Sequence, residues 1–589
     1  MSMAATSGTM RERARGFRFG ALWLAVPGLL FLAVFFAWPV AQLLGLSLFD
    51  PDSGKASIAT YERIAATDVY LRVLGITFRI AGYTALYSLL IGYPLAYWLS
   101  RLPDMYRGRM LLFVMVPFWT SYLVKTFAWM ILLGRSGIIN SLVTGAGLVD
   151  QPLPLLHNEF GVMVGMVHAM VPLAVMTMLP VMAGIDRRLV QAAQTLGASP
   201  AHAFWLVYFK LSLPGVAAAG LLVFISSLGF FIVPAFLGGR RETMLAQLII
   251  TQVQELLNWP FAGALAAMML AAALVSCWVY DRVFGLSTIA GGSAQVGTGR
   301  IRDLGLAILS LVAEIAGLLG QLTQALLGRR GSAFILPAFS WLAIGFLVLP
   351  TLLVIPLAFT SSQFLEFPPP GYGLSWFRTY FESDLWIQAT IRSFLVAFAT
   401  AIAATAIGGF TALALANSRT RWSGLIFAFC LAPMIVPRII IAVGLFYLFA
   451  RIGLVATDLG LVIGHTVLAI PFALVTMAAV LKSYDQRLDQ AAATLGANRL
   501  KTLTGVTIPL VKGGLVAAFL FSFITSFDEL SIAIFVSGGV KTTLPKQMWD
   551  DMILQLNPTL AAVSVVVFIV VTLMLLVAER FRSSSSSAS

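Results

Sequence analysis

Two acidic residues stand side by side in an apolar stretch, where acid is costly. Asp528 and Glu529 interrupt "FSFITSFDELSIAIFVSGG" (521–539). An ionised carboxylate away from water needs a countercharge or a proton. Paired carboxylates suit cation binding, because their oxygens replace water around an ammonium group. The bland alternative is a structural pair satisfied by Arg438, Arg392 or Lys125. Trp119, Tyr122 and Trp129 offer ring faces to the same kind of cation, although aromatic residues near span ends also serve as anchors or packing. His168 and His465 lie in apolar stretches too, at positions better suited to core histidines than to a proton relay.

Enzymatic chemistry finds little footing. No nucleophile–base pair stands out. Cys277 and Cys430 have no Cys or His neighbour at metal spacing, which excludes a zinc site or disulfide frame on this pattern. "SGGVKTT" (537–543) holds Gly, Lys and Thr in the wrong order for a phosphate loop, and G-x-x-x-x-G-K-[ST] does not occur. The expectation is a chain with no catalytic residues, no metal and no cofactor of its own.

A polar phrase is written twice. "QAAQTLGA" runs over 191–198 and "QAAATLGA" over 490–497. Around them, 15 of 27 aligned positions from Pro172 and Pro471 are identical without a gap. The offset of 299 also pairs Phe224 with Phe523 and Ser227 with Ser526, and it maps Asp528 and Glu529 onto Gly229 and Phe230. Each phrase opens at an acid, Asp186 or Asp485, placed to cap a short helix. Small residues follow, and Gly197 or Gly496 can end the helix. Such a helix is too apolar to lie free in water and too short to cross a bilayer. It suits a partner's groove, and two of them imply two clefts.

The elements that position these residues are membrane spans. The 589 residues are 59% hydrophobic and only 11% charged, with a mean hydropathy of +0.92, whereas soluble chains carry about 25% charged residues. The net charge of +13 is spread over short runs between apolar stretches rather than on one patch, so nucleic acid is excluded as a partner. Twelve apolar segments predict helices near 20–48, 72–99, 110–133, 161–184, 215–237, 261–281, 334–359, 388–416, 424–450, 459–482, 513–536 and 559–578. Basic residues concentrate in the segments that put both termini and both Gln-Ala-Ala loops in the cytoplasm. The segment Ile301–Gly328 carries its polar residues on one stripe. Spanning would invert everything after it, so an amphipathic helix on the inner surface is expected. The predicted architecture is all-α, a polytopic membrane protein of two parallel six-helix repeats. Residues 1–285 hold the first half with its loop at about 186–214, residues 286–330 a cytoplasmic linker, and residues 331–589 the second half with its loop at about 485–513.

The loop D-x-R-L-x-Q-A-A-x-T-L-G-A resembles the coupling loop of binding-protein-dependent ABC importer permeases. "VPFWTSYLVKTFAWMILLGRSGIIN" (116–140) looks like the first permease of spermidine/putrescine-type importers, and 521–549 looks like the second. The resemblance implies a bacterial inner-membrane, type I importer-like permease. It implies ATPase coupling through Asp186, Arg188, Gln191, Ala192, Ala193 and Gly197, and through Asp485, Arg487, Gln490, Ala491, Ala492 and Gly496. It implies a cytoplasmic ATPase homodimer that binds ATP and Mg, and a periplasmic solute-binding protein. Asp528, Glu529, Trp119 and Tyr122 are the candidate substrate path. A polyamine leads as solute; aminoethylphosphonate, 4-aminobutyrate and opines follow, and ferric iron and thiamine trail. An ion-coupled secondary transporter is the rival class. Two departures stand out: the family's Glu is Gln191 and Gln490 here, and its Pro near the loop's end is kept as Pro509 but replaced by Lys210.

Overall fold

The computed structural model describes residues 22–49, 54–284, 300–364, 367–418, 421–539, 541–555 and 557–586. The basic residues Arg11 to Arg18 and the linker stretch 286–299 lie outside the described residues. The described residues build helices, with isolated bridges but no strand. The helices that position the site are, in order, α1 (Leu22–Leu46), α2 (Asp68–Arg101), α3 (Asp104–Trp119), α4 (Tyr122–Leu133), α5 (Glu159–Ala183), α6 (Arg187–Thr195), α7 (Pro200–Leu228), α8 (Ile232–Leu237), α9 (Leu245–Gln254) and α10 (Trp259–Phe284). There follow α11 (Arg300–Ala358), α12 (Asp384–Ala416), α13 (Ser423–Ile435), α14 (Arg438–Ile452), α15 (Asp458–Ser483), α16 (Arg487–Thr494), α17 (Arg499–Phe527), α18 (Ser531–Val536), α19 (Leu544–Leu554) and α20 (Thr559–Ser586).

Among the described residues, ten helices are long and apolar enough to cross a membrane. The pair α13 and α14 is apolar enough only when taken together and is bent by 95°, the shape of a broken span or a re-entrant loop, and Thr559–Met574 is a shorter apolar helix. The structure corrects four of the expected continuous spans, 424–450 among them, which is the bent pair α13 and α14. The segment 110–133 is two helices, α3 and α4, separated at Thr120–Ser121. The segments 215–237 and 513–536 each end a long helix early and resume as the short α8 or α18. Hydropathy continues through such breaks, because a buried break needs no water if side chains satisfy its freed backbone. The Ser121 hydroxyl, for instance, accepts from the Leu123 amide at 3.3 Å.

The repeat is written in contacts as well as letters. Helices α2, α3 and α4 correspond to α12, α13 and α14 at an offset of 316, and the elements from α5 and α15 onward at 299. The Thr77 hydroxyl accepts from the Leu245 amide at 2.8 Å; its counterpart Ser393 accepts from Leu544 at 2.7 Å. Asn158 caps α5 through the Gly161 amide, and Thr457 caps α15 through Gly460, both at 3.0 Å. A Cβ at Gly161 or Gly460 would meet the carbonyl of Leu155 or Leu454 at 2.9 or 2.3 Å, so both positions require glycine.

Packing divides the chain differently from the linear repeat. One compact unit holds residues 1–62, 249–267 and 373–589; the other holds 63–248 and 268–372. Within the first unit, α1 packs on α12 and α14, with Gly444 against the Pro39 backbone. Within the second, the later part of α11 packs on α2, α3 and α4, and the Leu347 carbonyl lies 2.9 Å from His168 Nε2. Helix α11 is interrupted at Gly328, whose φ of 69° a side chain would strain. Its earlier part packs on the Pro200–Phe209 segment, with Ala201 Cβ 3.6 Å from the Cβ position of Gly317.

Candidate functional site: twin loops and broken spans

Both Gln-Ala-Ala phrases fold as a short exposed helix between two long ones. The Asp186 carboxylate accepts from the Arg188 amide at 2.9 Å, and Asp485 accepts from Arg487 at 3.0 Å. Each helix ends at glycine in the left-handed region, φ 94° at Gly197 and 83° at Gly496. The amides of Ala198 and Ala497 close back on Ala193 and Ala492, each at 3.0 Å. Gln191, Ala192, Gln490 and Ala491 are exposed, while Ala193 and Ala492 are half-buried. The neighbouring Leu196 and Leu495 are 89% and 88% exposed. Each is a large apolar side chain left uncovered at the same place in both loops.

A matched pair of side chains ties each loop to the membrane domain. Arg187 Nη2 donates to the Ser100 carbonyl at 3.0 Å, and Gln486 Nε2 donates to the Ala416 carbonyl at 3.1 Å. Arg187 and Gln486 correspond at 299; Ser100 and Ala416, at the ends of α2 and α12, correspond at 316. The second loop has an additional clamp. The Tyr484 and Thr507 hydroxyls both donate to Asp489, at 2.6 and 3.0 Å. The first loop has Ile185, Val190 and Tyr208 at those places, with Tyr208 stacked on Phe204 at 5.7 Å. The two loops therefore share an outline and differ in how they are fastened.

The other candidates gather at the broken spans. Glu529 is 1% exposed, and Asp528 is half-buried at the end of α17. Glu529 Oε2 accepts from the Ile532 and Ala533 amides at 2.9 and 3.3 Å, the geometry of a helix cap on α18. His465 Nε2 is 3.6 Å from the same oxygen, and its Nδ1 is 2.8 Å from the Ser526 hydroxyl. Arg438 acts electrostatically on Glu529. Arg392 is engaged elsewhere, with Asp458 at 2.9 Å. Lys125 is buried, donates to the Pro117 carbonyl at 3.0 Å and sits 4.2 Å over the Tyr122 ring. Tyr122 meets Phe230 edge-on at 5.0 Å. Trp129 packs on His168 and Phe346. The Trp119 side chain lies outside the described residues. Among the described residues no three His, Cys, Asp or Glu side chains gather as metal ligands.

The family model of the binding-protein-dependent transport system inner membrane component matches residues 88–286 and, a second time, 404–582. The chain belongs to this family. It is a permease subunit of an ABC importer, with two copies of the family domain in one polypeptide. The permease is 29% identical over 269 residues to the Haemophilus influenzae spermidine/putrescine transport system permease protein PotB, covering 44% of this chain and 88% of that one. It is 30% identical over 247 residues to PotC of the same organism, covering 42% and 95%. The structure of a bacterial ABC transporter that imports the polysaccharide alginate matches 44% of this chain and 93% of that one, at 16% identity and a TM-score of 0.35. Permease subunits of this kind are not themselves enzymes, and the multi-span permease is a membrane protein.

Sequence reasoning missed two parts of the permease's site. The Arg187 and Gln486 anchors differ in residue type and bond to backbone carbonyls, so no motif marks them. Their shared position in the 299-residue register was the available signal. The coincidence of Lys125 with a helix break was hidden because the break itself was hidden.

Proposed function

We propose that the permease moves a small amine-bearing solute inward across the bacterial inner membrane, driven by a separate cytoplasmic ATPase homodimer that docks at both loops. The observation that carries this reading is the twin loop: two exposed capped helices with Leu196 and Leu495 presented at matched positions. ATP closes the ATPase dimer, draws the loops together and opens the path outward to a periplasmic binding protein; hydrolysis resets it. Both termini are cytoplasmic in this reading. The early part of α11 lies on the inner surface, with Leu311, Leu318 and Leu322 exposed for lipid.

A polyamine is the leading solute. The spermidine/putrescine relatives support it, and Asp528, half-buried at the second repeat's broken span, is the candidate acid on the path. A second reading has its own observation. Arg438 is exposed at the 95° bend, which suits a solute carrying an anionic group as well as an amine, such as aminoethylphosphonate or 4-aminobutyrate. Labelled putrescine uptake in cells with the permease, its ATPase and its binding protein tests both, with those solutes as competitors. ATPase-dependent putrescine uptake supports the polyamine reading. Uptake of an amine-bearing anion instead supports the second. Uptake that survives loss of the ATPase defeats both and restores the ion-coupled carrier.

A further inference from the structure

The early part of α11 keeps different company on its two faces. Ala313, Ala316, Gly317 and Gly320 share one face by their spacing. Ala313 is fully buried, and the Cβ position of Gly317 is 3.6 Å from Ala201 Cβ, in the segment on which this helix packs. At about 100° per residue, Leu311, Ile315, Leu318, Leu322 and Leu326 form the opposite stripe. All five are exposed, Leu326 by 81%. Glu314, Gln321 and Gln324 fill one flank and are exposed too. A bulky apolar face turned away from the chain, with the polar residues confined to a flank, does not suit water.

The helix's own continuation indicates what covers that stripe. The backbone turns at Gly328, just past Leu326, and the span Ala333–Ala358 follows. That span exposes Phe334, Leu342 and Leu349, as a helix does toward lipid. The leucine stripe therefore runs into a lipid-facing surface where the span enters the bilayer. A turn at that level lets the early part lie along the interface while the later part crosses.

The segment under this helix is the exit of the first coupling loop. Gly197 closes α6, and the Ser199 hydroxyl then caps Pro200–Ala203 by accepting from the His202 amide at 3.3 Å. Tyr208 ties the same segment to α2 and α5, 3.2 Å from the Ser100 hydroxyl and 3.4 Å from the Met182 carbonyl. The exit of the second loop is left open among the described residues. Ala201, Trp205 and Leu206 are half-buried, whereas their counterparts Leu500, Thr504 and Gly505 are exposed.

We propose that the early part of α11 is a lipid-anchored brace on the first coupling loop. The inner bilayer surface covers its leucine stripe, and its small face steadies the segment through which that loop moves. The two docking sites then differ in mobility, the first being held to the membrane and the second free of it. The brace stands on the packing; its consequence for ATPase docking rests on the import reading.

The test uses the full chain in nanodiscs of phosphatidylethanolamine and phosphatidylglycerol, on a Cys277→Ser, Cys430→Ser background. Spin labels are placed at Leu318→Cys and Gln321→Cys. Oxygen partitions into lipid and a nickel chelate into water, so oxygen should dominate relaxation at 318 and the chelate at 321. A label at 318 that meets the chelate as freely as the one at 321 overturns the proposal. So does a label at 318 shielded from both reagents, because protein then covers the stripe. Hydrogen exchange reads the brace itself. Leu311→Asn with Leu318→Asn and Leu322→Asn should speed exchange in 187–209 by about threefold or more and leave 487–507 unchanged. Equal changes in both loops, or none in either, defeat it. The triple variant should also need about threefold more ATPase for half-maximal activity of the reconstituted complex, with the maximum kept. An unchanged requirement defeats the link to docking. Should the unaltered chain support no ATPase-dependent activity, the import reading falls, while the label and exchange measurements still decide the brace.

Discussion

At the scale of single residues, the two loops look alike but are fastened differently. Tyr484 donates to Asp489 in the second loop, where the first has Ile185 and Val190. Burial first, and then that bond, push the Tyr484 hydroxyl up to about 12. The folded state thus favours the neutral phenol. The stabilisation is complete below the ordinary tyrosine value of about 10 and is lost as pH climbs toward 12, so this contact is level between pH 6 and 9. Tyr484→Phe removes it at a cost of about 1 kcal/mol, about fivefold in an equilibrium. The ATPase rate of the reconstituted complex should fall at subsaturating ATPase and recover when ATPase is added in excess; no change would mean that Asp489 is held by Thr507 alone. A second prediction concerns the matched bonds at Thr77 and Ser393. Thr77→Val and Ser393→Ala each strand a buried amide, costing about 1–3 kcal/mol. The two variants should lower the thermal midpoint in detergent by similar amounts. What was legible at this scale is instructive. Asp186, Asp485, Gly197 and Gly496 declare themselves because capping and positive φ restrict residue type. Arg187 and Gln486 do not, because a backbone carbonyl accepts from either.

At the scale of elements, the short helices α6 and α16 depend on their terminal glycines for shape. A Cβ at Gly197 or Gly496 meets nothing within 4 Å, so alanine there costs only backbone strain, about 1–2 kcal/mol each. Gly197→Ala with Gly496→Ala should leave the isolated chain folded, with a modest drop in midpoint. Gly197→Arg or Gly496→Arg adds bulk at the same exposed corner and should abolish transport while basal ATPase activity persists. Normal uptake with both arginines present would remove the loops from the coupling path. The spans themselves were legible from apolar length, and the repeat from the 299 register. The breaks were not. Thr120–Ser121 and Asp528–Glu529 read as minor polar interruptions, because a break's freed backbone is satisfied by neighbours that sequence does not reveal. The π-turns at Phe204–Phe209 and Leu503–Thr507 are equally silent, although they recur at matched positions.

At the scale of the whole molecule, the order of the chain and the order of its packing disagree. Linear reading places α1 with the first repeat, yet α1 packs on α12 and α14, and Phe35 meets Phe449 at 6.5 Å. The later part of α11 likewise packs on first-repeat helices. Hydropathy locates a span but carries no address for its neighbour, which explains why this exchange was not legible. Fusion supplies something physical here. A covalent link makes the encounter of the two fragments intramolecular and so raises their effective concentration. Cutting the chain within 286–299 and expressing both fragments together should therefore restore assembly and uptake at high expression, with a steep loss as expression falls. The fragment 1–290 alone should accumulate poorly, because α1 then lacks the helices it packs on. Deleting residues 1–50 from the intact chain should destabilise the second repeat more than the first, read by hydrogen exchange in α12 and α14 against α2 and α5. Equal loss of protection in both sets would show that α1 supports the assembly generally and not the helices it touches.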